Sequence, residues 1–228
     1  CSADRQGRLK LWDLADREPG TAVFRNHGHW VNDVAFGPEG ARVATAAEDG
    51  AVMVWDPATL DVHHELPAHN VAARCVAFGP EGRLLATGGT DGGNDSAVKL
   101  WDLTEGTVRR VFGGFGGTVN CVVLSRDGTR LLAGSVDKSV RVWEVDTGRP
   151  VTVFSDHTHS VNGLAMGRDG RTVFSGAGSK FARTAPEWLL WRVESGDTLF
   201  SLALPDDTGS VYGVAADAKG HWLASAGP

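Results

Sequence analysis

The chain has 228 residues, of which 22 are basic and 28 acidic, and its formal net charge is −6. Three cysteines are too few for a disulfide-dense secreted scaffold, and no apolar run approaches the roughly 18 residues of a membrane-spanning helix. The acidic balance, without a basic block, argues against a nucleic-acid surface, so we expect neither nucleic acid nor membrane as a partner. The composition is otherwise globular, but it holds 30 glycines and 8 tryptophans against a single tyrosine.

Tryptophan and glycine mark an internal repeat. Five tryptophans end short alternating apolar runs, 43, 46, 42 and 48 residues apart: Trp12, Trp55, Trp101, Trp143 and Trp191. Five glycines close turns at matching positions: Gly40, Gly82, Gly128, Gly170 and Gly220. Thirteen residues before each glycine stand His27, His69, Phe115, His157 and Asp207, and 18 residues after those stand Thr45, Thr87, Ala133, Ser175 and Ser225. A register kept five times indicates repeating units of about 42 residues.

In chain order, the repeat divides the chain into six segments. A partial unit over 1–26 is followed by complete units over 27–68, 69–114, 115–156 and 157–206, and by a second partial unit over 207–228. Runs such as VNDVAF and RVATAA are short, rich in Val and bounded by Gly, Pro or Asn, which is typical of strands. Four short strands per unit predict an all-β fold, a β-propeller of four-stranded antiparallel blades with four complete blades and a half-blade at each terminus.

The repeats resemble the blades of WD-repeat β-propellers over essentially the whole chain. In that family a His entering the blade, a Ser or Thr on the second strand, an Asp in the next turn and a Trp ending the third strand form a buried hydrogen-bond network. The resemblance implies such networks in these residues: His27, Thr45, Asp49 and Trp55; His69, Thr87, Asp91 and Trp101; Asp137 and Trp143; His157, Ser175 and Trp191. Phe115 and Ala133 replace two members in the third unit, and Ser179 stands where the fourth Asp would fall. Asp95 competes with Asp91.

The partial units at the two ends allow two arrangements. Residues 207–228 and 1–26 could complete one split blade, which would close a ring of five blades. Alternatively, the chain is an arc of a larger propeller. We expect the arc, within the range of about 4 to 8 blades that propellers have.

The sequence offers no convincing catalytic or metal site. His27, Thr45 and Asp49 have the residue types of a hydrolase triad, but their recurrence in register favours a structural role. The pairs His27–His29 and His157–His159 have no nearby set of Cys or carboxylate ligands, so we expect no metal and no cofactor. The chain is therefore expected to be non-catalytic. The alternative is a lactonase- or quinoprotein-like propeller enzyme with its active site at the channel mouth.

Function then depends on surface recognition, and we expect a protein–protein interaction scaffold within a larger signalling or regulatory protein. The family often binds a protein or peptide on the face that carries the loops entering each blade and the second-to-third-strand turns. Two units carry insertions of 4 and 6 residues in these turns. The predicted partner-binding residues are Trp30, Asn32, Arg74, Asn120, Asn162, Lys180, Phe181, Arg183 and Tyr212. Trp30 stands out because its equivalents are Ala72, Thr118, Ser160 and Ser210.

Two further expectations concern the origin of the chain. Seventeen arginines against five lysines indicate a GC-rich, bacterial genome. We expect the chain to be cytoplasmic; it begins at Cys1 without a start methionine, and so its sequence carries no information on targeting.

Overall fold

The computed structural model describes residues 2–3, 8–12, 21–25, 27–92, 96–178, 187–203, 211, 213–216 and 223–226. These residues form 21 strands and one short 3-10 helix, Pro38–Gly40. No helix in this part of the chain is both long and apolar enough to cross a bilayer.

Four antiparallel sheets of four strands, here called blades 1 to 4, follow one another along the chain, each with its strands in sequence order. Blade 1 consists of β4 (Val31–Phe36), β5 (Val43–Ala47), β6 (Val52–Trp55) and β7 (Val62–Leu66). Blade 2 consists of β8 (Ala72–Phe78), β9 (Leu84–Thr90), β10 (Ser96–Asp102) and β11 (Thr107–Phe115). Blade 3 consists of β12 (Val119–Leu124), β13 (Arg130–Ser135), β14 (Val140–Glu144) and β15 (Pro150–Phe154). Blade 4 consists of β16 (Val161–Met166), β17 (Thr172–Ala177), β18 (Glu187–Arg192) and β19 (Thr198–Ala203). The predicted all-β class and its four-stranded antiparallel blades are confirmed.

Two shorter sheets flank the four blades. β1 (Ser2–Ala3), β2 (Arg8–Trp12) and β3 (Thr21–Arg25) form a three-stranded sheet, and β20 (Gly213–Ala216) pairs with β21 (Leu223–Ala226). Among the described residues no backbone pairing joins these two sheets. The closed five-blade ring and the arc of a larger propeller both stay predictions.

Each innermost strand of the four blades contains a β-bulge. The pairing register shifts near the start of β4, β8, β12 and β16. A bulge inserts one extra residue and re-aims its side chain. The bulged residues are Asn32, Arg74, Asn120 and Asn162, four of the predicted partner-binding residues.

The apolar core lies between successive blades. Ala44 and Val52 of blade 1 share a buried cluster with Leu85 and Trp101 of blade 2, and similar clusters join blade 2 to blade 3 and blade 3 to blade 4. The tryptophan that ends each third strand packs toward the preceding blade. The four blade tryptophans are at most 6% exposed: Trp55, Trp101, Trp143 and Trp191. Such burial of large aromatic surface is the main stabilising contribution available to a sheet stack.

Candidate functional site

The loops entering each blade and the second-to-third-strand turns form one face of the blades, here called the upper face. Blade 1 contains the complete four-residue network beneath this face. The Trp55 indole donates to the Thr45 hydroxyl at 2.9 Å, and Thr45 lies 2.7 Å from Nε2 of His27. Nδ1 of His27 lies 3.3 Å from the Asp49 carboxylate. Because a carboxylate only accepts, Nδ1 carries the proton, and Nε2 accepts the Thr45 hydroxyl proton. Three buried polar groups and the partly exposed Asp49 carboxylate thereby satisfy one another.

Burial controls the charge of the network histidines. It lowers the pKa of His27, His69 and His157 from the ordinary value, against the opposing attraction of the neighbouring carboxylates. All three imidazoles are therefore neutral at pH 7. Each is buried and has a hydrogen-bond partner at both ring nitrogens. None is left as a base for a substrate.

Blade 2 repeats the arrangement with one addition. Nδ1 of His69 lies 3.0 Å from Asp91, and the Thr87 hydroxyl lies 3.2 Å from Nε2 of His69 and 3.1 Å from the Trp101 indole. The Lys99 ammonium reaches the same Asp91 at 3.1 Å. Burial alone would raise the pKa of Asp91, but the hydrogen bonds from His69 and Lys99 hold it below its ordinary value. Asp91 thus contacts the network, and its competitor at position 95 lies outside the described residues.

Blade 4 uses a carboxylate that the sequence reasoning missed. His157 and Ser175 lie 2.7 Å apart, and the Trp191 indole donates to Ser175 at 3.1 Å. The other nitrogen of His157 lies 3.3 Å from Glu187, which is the first residue of β18 and not a turn residue. The longer glutamate side chain reaches the histidine from a different chain position. Position 179, where an Asp was expected, lies outside the described residues.

Blade 3 replaces the polar centre with apolar contacts. Phe115 and Ala133 are buried, and the Phe115 ring meets the Trp143 ring edge-on with centroids 5.8 Å apart. The Arg141 guanidinium lies 5.2 Å from the Phe115 centroid. Because the imidazole and the hydroxyl are both absent, neither one is left unpaired by the loss of the other.

The network carboxylates share a second role in all four blades. Each accepts the backbone N–H of the residue directly after the histidine or phenylalanine position, at 2.6 to 3.1 Å. The donors and acceptors are Gly28 with Asp49, Asn70 with Asp91, Gly116 with Asp137, and Thr158 with Glu187. The carboxylate therefore fixes the loop entering the blade, and this loop forms the upper face.

Trp30 presents a large aromatic side chain on the upper face of blade 1. It is 47% exposed, whereas its equivalent Ala72 is 1% exposed. The Trp30 carbonyl accepts the N–H of Glu48 at 2.8 Å, which ties its backbone to the second-to-third-strand turn. Val71 and Val136 add exposed apolar surface to this face, at 52% and 44%. The sequence reasoning did not single out these valines because a lone Val near a strand end is ordinary.

Three of the bulged residues are asparagines that bridge to the next blade. Asn32 donates to the Ala73 carbonyl at 2.8 Å, and Asn120 donates to the Val161 carbonyl at 3.2 Å. Asn162 follows the same pattern, donating to the carbonyl of residue 211 at 2.8 Å. The sequence predicted that these positions are equivalent in the repeat, and in the structure all three asparagines donate to a backbone carbonyl of the next blade. Their contact with a partner stays a prediction.

Arg74 departs from the asparagine pattern. Its guanidinium reaches back to Glu48 of blade 1 at 3.1 Å, and Glu48 also accepts the Asn32 amide at 3.0 Å. Arg74 and Glu48 are 39% and 32% exposed, so their ion pair is accessible from solvent. Trp30, Asn32, Glu48 and Arg74 therefore lie together at the junction of blades 1 and 2. Four other predicted partner residues lie outside the described residues: Lys180, Phe181, Arg183 and Tyr212.

Asp33 is an unusual half-buried carboxylate in an innermost strand. It accepts the N–H of Val34 at 2.8 Å and that of Val76, in blade 2, at 2.9 Å. Burial raises its pKa to about 6, despite the opposing effect of these two hydrogen bonds. Among the described side chains, no group of three or more His, Cys, Asp or Glu is placed to hold a metal ion.

Comparisons with known proteins agree with this architecture. The family model described as WD domain, G-beta repeat, matches residues 20–56, 61–102, 106–144 and 148–183. The chain is 31% identical over 136 residues to the beta subunit of a guanine nucleotide-binding protein of Oryza sativa subsp. indica, covering 56% of this chain and 35% of that protein. It is 36% identical over 55 residues to WD repeat and SOCS box-containing protein 1 of Xenopus tropicalis, covering 24% and 13%. It is 28% identical over 92 residues to the beta'-2 subunit of coatomer of Arabidopsis thaliana, covering 40% and 10%.

The chain thus spans about a third or less of the length of these curated relatives. The matched repeats extend over more than half of the chain, and three of them end one residue after a buried blade tryptophan. Taken with the recurring network and the stacked four-stranded sheets, this match shows that the chain belongs to the WD-repeat family.

Proposed function

We propose that this chain is a non-catalytic interaction scaffold within a larger signalling or regulatory protein, and that its upper face holds a protein or peptide partner. Several relatives are, by name, components of larger assemblies: coatomer, a guanine nucleotide-binding protein and chromatin assembly factor 1. The network imidazoles, which could otherwise serve as bases, are buried and have a hydrogen-bond partner at both ring nitrogens. This favours recognition over catalysis.

The exposed indole of Trp30 is the single observation that carries the proposal. Its backbone is held by the hydrogen bond to Glu48, so the ring is presented from an ordered loop. Exposed aromatic anchors on rigid scaffolds contribute a large share of binding energy at protein interfaces. The adjacent Asn32, Glu48 and Arg74 supply polar groups that would surround such an anchor.

The experiment compares Trp30→Ala with Phe36→Ala. Phe36 is a matched control because it is an aromatic residue, 51% exposed, at the far end of β4, the strand that directly follows Trp30. Partners captured from source-cell extract by the wild-type chain are identified and purified, and their dissociation constants are measured for all three proteins. We expect Trp30→Ala to weaken binding about tenfold or more, with Phe36→Ala unchanged and neither variant lowering the melting temperature appreciably.

Two results would count against the proposal. The first is a partner that loses affinity equally with both variants. The second is a Trp30→Ala chain that unfolds, which would make Trp30 a structural residue.

A further inference from the structure

The residue directly after the blade tryptophan changes the sign of its charge in blade 4. It is acidic in each of the other units that contain it, as Asp13, Asp56, Asp102 and Glu144, whereas blade 4 has Arg192. This position lies on the lower face, defined here as the turns at the strand ends opposite to the upper face. Blade 4 thus offers a different charge pattern on this face from that of blades 1 to 3.

Blade 2 shows what the acidic residue binds at this position. The Arg83 guanidinium, directly before β9, donates to the Asp102 carboxylate from two nitrogens, at 3.0 and 2.7 Å. The N–H of Leu103 donates to the Arg83 carbonyl at 2.8 Å, so the backbone register places the arginine and the carboxylate side by side. The lower end of this blade therefore contains a paired guanidinium and carboxylate.

Blade 4 keeps this register but has an arginine at both positions. The N–H of Val193 donates to the Arg171 carbonyl at 2.8 Å, just as Leu103 does to Arg83 in blade 2. Arg171 is therefore equivalent to Arg83, and Arg192 is equivalent to the carboxylate residue that Arg83 binds. Like charges on neighbouring strands are unfavourable, so the two guanidiniums destabilise the sheet unless an anion lies between them.

Both guanidiniums are exposed, and within the described part of the chain neither forms a hydrogen bond or an ion pair. The two carboxylates that line the same groove have other partners. Asp169 accepts the backbone N–H of Arg171 at 2.9 Å and thereby holds the first-to-second-strand turn. Glu194 pairs with Arg130 of blade 3 at 3.3 Å. The side chains of Arg171 and Arg192 are therefore available to an external anion.

The groove beside these arginines also offers an apolar contact. Its volume is about 420 Å³, and Arg171, Arg192 and Leu199 line it. Leu199 is 44% exposed, and the equivalent residues of blades 1 and 2 are the polar His63 and Arg109. Two cationic forks thus lie beside one accessible apolar side chain. A guanidinium binds a carboxylate through two parallel hydrogen bonds, which makes such a pair specific in geometry as well as in charge.

We propose that this groove is a second binding site, separate from the upper face, for an acidic segment of a protein partner. A glutamate or aspartate side chain of the partner occupies the place that Asp102 has in blade 2 and accepts hydrogen bonds from Arg171 and Arg192. An adjacent apolar side chain of the partner packs on Leu199. A carboxylate is the anion of choice because the chain itself binds one at this arginine position in blade 2.

The test titrates the 228-residue chain into the synthetic peptide Gly-Ser-Glu-Leu-Glu-Leu-Ser-Gly, which carries an uncharged fluorophore, and follows fluorescence anisotropy at low ionic strength. The comparison peptide has glutamine in place of both glutamates. We expect the acidic peptide to bind at least about tenfold more tightly, because only a carboxylate forms charge-assisted hydrogen bonds with both guanidiniums.

Arg171→Glu and Arg192→Glu should each weaken binding of the acidic peptide about tenfold or more. Arg192→Asp should weaken it as much although Arg171 remains, because the introduced carboxylate would pair with Arg171 as Asp102 pairs with Arg83. Arg126→Glu is the matched control, with the same change in net charge. Arg126 is exposed on the first-to-second-strand turn of blade 3, and its substitution should change the affinity less than about twofold.

Three outcomes would overturn the proposal. Equal affinities of the two peptides, or no measurable binding of either, would show that the groove does not recognise a carboxylate. An equal loss with Arg126→Glu would reduce the effect to net charge. A phosphoserine version of the peptide that binds at least about tenfold more tightly than the glutamate peptide would assign the groove to a phosphorylated partner.

The result is separable from that of the upper-face experiment. Trp30 lies on the opposite face, so Trp30→Ala should leave the affinity for the acidic peptide unchanged. Failure of the groove to bind the peptide would therefore leave the proposed role of Trp30 intact, and the reverse also holds.

Discussion

At the scale of single residues, the Thr45 hydroxyl joins two parts of blade 1 that are distant in sequence. It accepts the Trp55 indole proton and donates its own proton to His27. Thr45 is fully buried, so neither partner could turn to water instead. The hydroxyl therefore contributes more to the free energy of unfolding than a single hydrogen bond would, because two buried groups depend on it.

Thr45→Val should therefore destabilise the chain by about 3 kcal/mol, because the Trp55 and His27 nitrogens would each lose a partner while the side-chain volume stays nearly constant. Thr107→Val is the control, since Thr107 is exposed on β11, and it should change the free energy of unfolding by less than about 0.5 kcal/mol. Urea unfolding of both variants measures the difference. Equal midpoints would mean that the network carries no net stability.

Asp33 makes stability depend on pH in a predictable direction. In the folded chain it keeps its proton up to about pH 6, compared with an ordinary pKa of 3.8. Between these values the folded state binds more protons than the unfolded state. The contribution of Asp33 to the free energy of unfolding therefore falls as the pH rises through this window, and it stays low above pH 6.

Asp33→Asn removes this titration. The free energy of unfolding of the variant, relative to the wild type, should rise by about 2 kcal/mol between about pH 4.5 and about pH 7.5. The network histidines titrate in both proteins and cancel in the difference. Urea unfolding at several pH values gives the two profiles; parallel profiles would show that the carboxyl group titrates at its ordinary pKa.

At the scale of strands, the β-bulge of each innermost strand sets one side chain against the next blade. Asparagine at three of these bulges donates to a backbone carbonyl across the junction, 41 to 49 residues further along the chain. Arg74, at the fourth, pairs with the preceding blade, and the junction from blade 2 to blade 3 has a hydroxyl pair, Thr90 with Thr118 at 2.9 Å. At the bulge position, three blades therefore have an asparagine amide that stabilises the junction, and blade 2 has the accessible guanidinium of Arg74.

Asn120→Ala should lower the free energy of unfolding by about 1–2 kcal/mol, since the Val161 carbonyl loses its side-chain donor at a partly buried junction. Arg74→Ala should change it by less than about 0.5 kcal/mol, because the ion pair with Glu48 is accessible to water. Thermal and urea unfolding of both variants compare the two effects. A larger loss for Arg74→Ala would reverse the assignment of structural and surface roles.

At the scale of the whole molecule, the distance between blades depends on glycines in the second strands. A Cβ atom at Gly88 would lie 2.6 Å from Val119 of blade 3 and 2.7 Å from Sγ of Cys75. Gly134 meets Val161 of blade 4 in the same way, at 2.6 Å. The absence of a side chain here lets each sheet approach the next closely enough to bury the blade tryptophans between them.

Gly88→Ala should destabilise the chain by about 1–3 kcal/mol, because the added methyl group overpacks the junction of blades 2 and 3. Gly113→Ala is the matched control in the same blade, since no atom lies within 4 Å of its would-be Cβ. Thermal unfolding distinguishes them. If both variants melted together, the close approach at Gly88 would not limit the spacing of the blades.

The sequence by itself determined the repeat, the strand class and three of the four network carboxylates, because these depend on spacings along one stretch of chain. A strand pairs with its sequence neighbour, so Trp55 lies opposite Val43 and its indole reaches diagonally to Thr45, two residues further along the second strand. The spacing did not predict the carboxylate of blade 4, because there Glu187, the first residue of the third strand, contacts the histidine in place of a turn residue.

Only the tertiary structure decided which atoms meet between blades. The amide of Asn120 and the carbonyl of Val161 belong to separate sheets, and their contact depends on the bulge and on the packing distance that Gly134 permits. Local patterns describe the surface that each strand offers, whereas the stacking of sheets selects which part of that surface is covered.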